Sequence, residues 1–134
     1  MSEHARNRVK EATILIIAYD YIIRDILTKF LTREGHKVIA HSLGWSGMRS
    51  FEKGKGKFDL VIIDIALPDM SGVGVAKKIK AISHKTPIML LKAWDSEPEE
   101  EEIKGSGVDF IVSKPFTMEE TLRLVANAIE REAG

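Results

Sequence analysis

Two kinds of segment alternate along this chain. "TILIIA" (13–18), "KVIAHS" (37–42), "DLVIIDI" (59–65), "TPIMLLKA" (86–93) and "FIVS" (110–113) are short apolar runs. Their length and β-branched content predict strands, the most continuous of them covered on both faces. Between them apolar residues recur at helical spacing. Ile22, Ile23, Ile26, Leu27, Phe30 and Leu31 form one such stripe, which Gly35 stops. Leu43, Met48 and Phe51 mark a weaker helix, interrupted by Gly44 and Gly47 and ended by "GKGK". After the turn "ALPDMSG", "VGVAKKIKAI" predicts a helix with Val75, Ile79 and Ile82 inward. The last helix opens with a capping box, Thr117-x-x-Glu120, and carries Met118, Leu122, Val125 and Ile129 on one stripe.

Five strands alternating with five helical segments predict an α/β fold: a doubly wound, five-stranded parallel sheet with helices on both faces and right-handed crossovers. The fourth helical segment, "WDSEPEEEEIKGSG" (94–107), stands apart. After Trp94 its strong apolar residue is Ile103, and acids crowd positions 95 to 102. It has little apolar surface to hold it on a sheet. It is expected to be a solvated helix face or, alternatively, a mobile segment or an acidic docking surface for a basic partner.

Composition narrows the function classes. At 134 residues the chain is long enough for one domain with a real core. Residues 1–11 are expected to be a disordered extension and 12–132 the domain. Lys and Arg number 20, as do Asp and Glu, so the formal net charge is zero. That argues against bulk electrostatic binding to nucleic acid or an anionic membrane. No apolar run is long enough to span a bilayer, and the polar start "MSEHARNRVKEA" has no signal-peptide core. The absence of cysteine rules out disulfides and thiolate metal sites and fits a cytoplasmic protein.

In a doubly wound sheet, chemistry gathers at the carboxyl ends of the strands. Those ends here present Ala18, Tyr19 and Asp20, then Asp64, Lys92 and Lys114. Charges that end otherwise apolar runs are costly unless paired or used. Histidines 4, 36, 41 and 84 show no metal spacing and are expected at the surface. "KGKGK" (53–57) is expected to be a solvated turn, and Trp45 and Trp94 packing residues.

"FDLVIIDIALPDMSG" and "GVDFIVSKPF", with "ILIIAYDYIIRDIL" and "PIMLLKA" in order, resemble the receiver domains of two-component response regulators over residues 12–132. The pattern Asp64-x-x-x-Pro68-x-x-x-Gly72 and the triplet Lys114-Pro115-Phe116 carry the resemblance. It implies a flavodoxin-like fold with strand order 2-1-3-4-5 and a phosphoaspartate switch. Asp64 matches the phosphoacceptor, Lys114 the lysine that neutralises the phosphoryl oxygens, and Pro115 the proline joined by a cis bond.

Three working positions depart from that pattern. The acid pair that holds Mg²⁺ in the family falls on Ala18 and Tyr19, with Asp20 one place beyond. The switch hydroxyl is replaced by Lys92, and the switch aromatic by Ile111. Mg²⁺ prefers hard, carboxylate-rich octahedral sites, so no cofactor is expected, or at most weak Mg²⁺ through Asp20 and Asp64. Lys92 is expected to occupy the vacated space and pair with Asp64, and Tyr19 to lid or pack the crevice.

The resulting expectation is a non-enzymatic, pseudo-receiver-like protein-interaction module, phosphorylated weakly or not at all. Its partner would be a histidine kinase or an output protein, met through the fourth helical segment, the fifth strand and the last helix. The alternative is a conventional Mg²⁺-dependent receiver. A flavin site, a haloacid-dehalogenase-type phosphatase and a cobalamin site are disfavoured. The first wants a small-residue loop where "AYDYI" stands. The other two want an acid or a histidine at the position of Ala66.

Overall fold

In a computed structural model, which describes residues 11–55, 57–93 and 103–133, the five apolar runs lie side by side as one parallel sheet. The elements are β1 (Thr13–Ile17), α1 (Tyr21–Arg33), β2 (Lys37–His41), α2 (Gly44–Gly54), β3 (Leu60–Asp64), α3 (Gly72–Ile82), β4 (Ile88–Ala93), β5 (Phe110–Lys114) and α4 (Met118–Ala133). Their order across the sheet is β2-β1-β3-β4-β5. Crossovers from β1 therefore leave to one side and those from β3 to the other. The reversal between β1 and β3 opens a crevice at the carboxyl ends.

Strand pleat divides the core in two. Leu15, Ile17, Val61, Ile63, Ile88 and Leu90 face α2 and α3, packing with Met48, Phe51, Val75 and Ile79. Ile14, Ile16, Leu60, Ile62, Met89, Leu91 and Val112 face α1 and α4, packing with Leu27, Leu31, Val125 and Ile129. Both faces of the central strands are buried, which is why the runs are continuous rather than alternating.

Local signals explain most helix ends. Asp20 caps α1, its Oδ1 accepting from the amides of Ile22 (2.8 Å) and Ile23 (3.3 Å). Gly35, at φ +100°, closes the same helix in the left-handed region. The capping box of α4 is formed: Glu120 N–H donates to Thr117 Oγ1 at 3.0 Å, and Thr117 N–H to Glu120 Oε1 at 3.2 Å.

Several expectations are corrected. Gly44 and Gly47 do not interrupt α2. A Cβ on Gly47 would lie 2.4 Å from Ile17 Cδ1, and one on Gly44 2.5 Å from Met70 Cγ. Gly47 brings the helix close to β1, and Gly44 brings its start against the loop that follows β3. Ile82 is 47 % exposed, because α3 ends there and the chain turns away. His36 is buried rather than at the surface, its Nδ1 accepting the Ala12 amide at 3.1 Å. Trp45 is half-exposed on α2 rather than packed.

Most of the fourth helical segment, with Trp94 and the acidic run, lies outside the described residues, as do residues 1–10. Ile103 is fully buried with the α2–α3 face, so the one strong apolar residue after Trp94 is what anchors this connection to the sheet.

Candidate functional site

Asp64 ends β3 and is 3 % exposed. Its Oδ2 accepts from Lys114 Nζ at 2.8 Å and its Oδ1 from the Ala66 amide at 3.0 Å. The pairing with Lys114 follows from register. Asp64 lies beside Leu91, and Leu91 beside Val112. Side chains in register share a pleat face, and Lys114, two residues past Val112, returns to that face. The Lys114–Pro115 peptide bond is cis.

Lys92 follows Leu91 directly, so the pleat directs it to the opposite face from Asp64. The expected Lys92–Asp64 pair is not formed. Among the described residues the ion pair of Asp64 is with Lys114. Lys92 itself lies half-buried on β4, in register with Ser113.

In front of Asp64 lies an open crevice of about 680 Å³, bordered by Tyr19, Asp20, Tyr21, Arg24, Ser42, Ala66 and Lys114. Ala18 is fully buried in the α1–α4 core and does not reach it. Tyr19 stands at the mouth, 58 % exposed. Asp20 also borders the crevice, but its Oδ1 is committed to the first amides of α1. Ile111 sits on β5, 40 % exposed and away from the crevice lining.

Three lining residues, Tyr21, Arg24 and Ser42, were not legible in advance. Arg24 Nη1 donates to the carbonyls of Ala18 (2.8 Å) and Tyr19 (3.1 Å), and its guanidinium lies over Tyr21, 5.7 Å from the ring centroid. It ties the β1–α1 turn in the shape that Asp20 caps. A charged residue inside the apolar stripe "YIIRDIL", four places after the cap, was the available signal. Ser42 enters because β2 ends level with β1, which only the register shows.

Gly72 of the Asp-x-x-x-Pro-x-x-x-Gly pattern has a steric reason. A Cβ there would meet the Asp64 carbonyl oxygen at 2.5 Å and Ile65 Cα at 2.7 Å. The start of α3 thus rests directly on the backbone that carries Asp64. In the same loop Asp69 reaches across to α2. Its Oδ1 accepts from the Gly44 amide at 2.9 Å and its Oδ2 from the Trp45 amide at 3.0 Å. Those backbone bonds hold its carboxyl below the ordinary carboxylate value.

Beside the crevice runs an apolar groove in which Ile22 and Ile26, both exposed on α1, face Pro115, Phe116 and Met118.

Comparison with known proteins agrees with this geometry. The family model for the response regulator receiver domain matches residues 14–126. An uncharacterized transcriptional regulatory protein of Bacillus subtilis, YcbL, is 32% identical over 117 residues, covering 87% of this chain and 50% of its own. The cell cycle transcriptional regulator CtrA of Caulobacter vibrioides is 29% identical, with 90% and 52% covered. The chain spans about half the length of both relatives. Among solved structures, a receiver domain from Clostridium thermocellum superposes with a TM-score of 0.84 at 25% identity, with 91% of this chain and 97% of that one covered. The chemotaxis response regulator CheY4 of Vibrio cholerae gives 0.80 at 25% identity, covering 89% and 99%. Strand order, the Asp64–Lys114 pair and the family match converge: this chain belongs to the receiver domains of two-component response regulators.

Proposed function

We propose that this receiver domain works in two-component signalling chiefly as a protein-interaction module, with phosphoryl transfer to Asp64 weak or absent. The observation that carries this reading is the donor set of the crevice. One oxygen of Asp64 is held by Lys114 and the other by the Ala66 amide. Ala18 and Tyr19 offer no carboxylate, and Asp20 caps α1. Among the described residues no three His, Cys, Asp or Glu side chains gather as a metal site. Mg²⁺, which favours several hard oxygens in octahedral array, does not fit these residues. Receiver chemistry is positioning and charge stabilisation of a phosphoryl group, and Lys114 alone supplies less of it than Lys114 with a divalent ion.

The chain acts by binding rather than as an enzyme, and in the cytoplasm. Its partner is a histidine kinase or an output protein, which need not be a separate chain, because the curated relatives named as transcriptional regulators are about twice as long. The face assigned to that partner comprises the segment before β5, β5 itself and α4, where Ile111 and Arg123 are exposed. With net charge zero, this domain makes no nucleic-acid contact of its own.

One observation favours the conventional Mg²⁺-dependent phosphoaspartate switch instead. Lys92 does not seal Asp64, whose crevice stays open. Intact mass after incubation with Mg²⁺ and a small-molecule phosphodonor separates the two. The expected result is no adduct that Asp64→Asn removes, under conditions that label a standard receiver. Tyr19→Asp, which puts a carboxylate at the mouth of the crevice beside Asp20, is expected to raise Asp64-dependent labelling. An Asp64-dependent adduct on the native chain at the rate of the standard receiver would return it to ordinary phosphorelay signalling.

A further inference from the structure

The outer face of α2 carries a second groove, away from the Asp64 crevice. It is open, about 280 Å³, and lined by His41, Trp45, Ser46, Arg49, Ser50 and Lys53. Among the described residues the lining holds two permanent cations, two hydroxyls, an imidazole and an indole, and no carboxylate. We propose that this groove docks an acidic peptide segment of a partner protein, with its carboxylates on Arg49 and Lys53 and its backbone laid against Trp45.

Three features suit this face to an anionic ligand. Arg49 and Lys53 are four residues apart on one helix, so their charges repel across a single turn. Among the described residues neither makes an ion pair with a carboxylate. An anion lying between them turns that repulsion into attraction. Trp45, 50 % exposed, is the largest side chain left to water on this helix. The Arg49 guanidinium lies over its ring, 5.8 Å from the centroid. Such stacking orients the planar fork for a bidentate carboxylate. Exposed Trp and Arg side by side are the residues that dominate binding energy at protein interfaces.

The shape of the site selects the class of ligand. A small molecule needs an enclosed pocket that buries most of its surface, and this groove is open along its length. Nucleic acid needs a row of phosphate contacts, and two cations on an uncharged chain do not make one. A peptide with neighbouring carboxylates matches two cations one helical turn apart. The groove also shares structure with the phosphoacceptor loop. The Trp45 amide is held by Asp69, five residues after Asp64. A ligand on Trp45 therefore bears on the loop that positions Asp64, through contacts that involve neither Lys92 nor Ile111.

The test is fluorescence anisotropy of a labelled peptide of alternating glutamate and serine, titrated with the 134-residue chain at low and high salt. Saturable binding that weakens with salt is expected. Arg49→Glu with Lys53→Glu should weaken it about tenfold or more. Lys77→Glu with Lys78→Glu, the same change in net charge on exposed residues of α3, should change it less than about twofold. Trp45→Ala should weaken binding roughly fivefold while leaving the salt dependence intact. If the reversed pair fails to fold, Arg49→Gln with Lys53→Gln tests the same site, with a loss of about threefold. Absence of saturable binding, or equal losses in the α2 and α3 charge variants, would overturn the proposal. So would tighter binding of inorganic phosphate or of a single-stranded oligonucleotide than of the peptide.

Discussion

The two ends of the sheet treat polar side chains differently. At the amino ends of the strands, carboxylates and an imidazole are consumed by the backbone. Asp59 Oδ2 accepts from the Thr13 amide at 2.8 Å, and His36 Nδ1 from the Ala12 amide at 3.1 Å. Asp109 Oδ2 accepts from both the Ile88 amide (2.9 Å) and Lys80 Nζ (2.8 Å). Lys80 also donates to the carbonyls of His84 and Thr86, so its three protons are used. At the carboxyl ends a lysine–aspartate pair of the same 2.8 Å length faces an open crevice. Equal distances hide unequal roles. One pair fastens β4 to α3 and β5, and the other keeps charge available beside space for a ligand. Saturation of the remaining donors and acceptors tells them apart, where distance does not.

The largest expected effect lies at the amino end. Asp109→Ala strands Lys80 and the Ile88 amide together, and should cost about 3 kcal/mol in urea unfolding. Asp64→Asn should cost less, about 1–2 kcal/mol, because its one carbonyl oxygen can keep the Ala66 amide while Lys114, beside the open crevice, turns to water. If Asp64→Asn costs as much as Asp109→Ala, the distinction between the two ends fails.

Gly72→Ala comes next, at about 2–3 kcal/mol, since its Cβ collides with backbone that cannot yield. Gly47→Ala meets the buried side chain of Ile17 rather than backbone, at Cδ1, Cγ1 and Cγ2, and should cost less, roughly 1–2 kcal/mol. The order of these two, read by thermal unfolding, checks whether the carboxyl end is braced by backbone contact.

The smallest effect is the pH response. Burial lowers the pKa of both His36 and His41 below 6.5 in the folded chain. The unfolded chain therefore takes up protons first as pH falls. The stability from keeping these rings neutral is complete above pH 6.5 and is lost as pH drops through the lowered folded values. Urea midpoints measured from neutral to mildly acid pH should fall, with a shallower slope in His36→Asn. An unchanged slope would show that His36 is not part of the amino-end network.

Much of the fold was open to inspection in the chain itself. Strand runs, the α1 stripe with its Gly35 stop, and the α4 capping box depend on neighbours within a few residues, and their physics is local. Asp64 and Lys114 stood out for the same reason, as charges ending buried strands. What the sequence alone determined was therefore the set of elements, their likeness to receiver domains and the missing acid pair. Tertiary structure decided which lysine reaches Asp64, because that depends on pleat parity summed across three strands: Asp64, Leu91 and Val112 share a face, Lys114 returns to it, and Lys92 falls on the other. It likewise decided that Gly44 and Gly47 serve close packing, that Arg24 holds the β1–α1 turn, and that Trp45 stays in water. Each of these is set by a partner distant in sequence, and periodicity along one segment carries no information about what lies across from it.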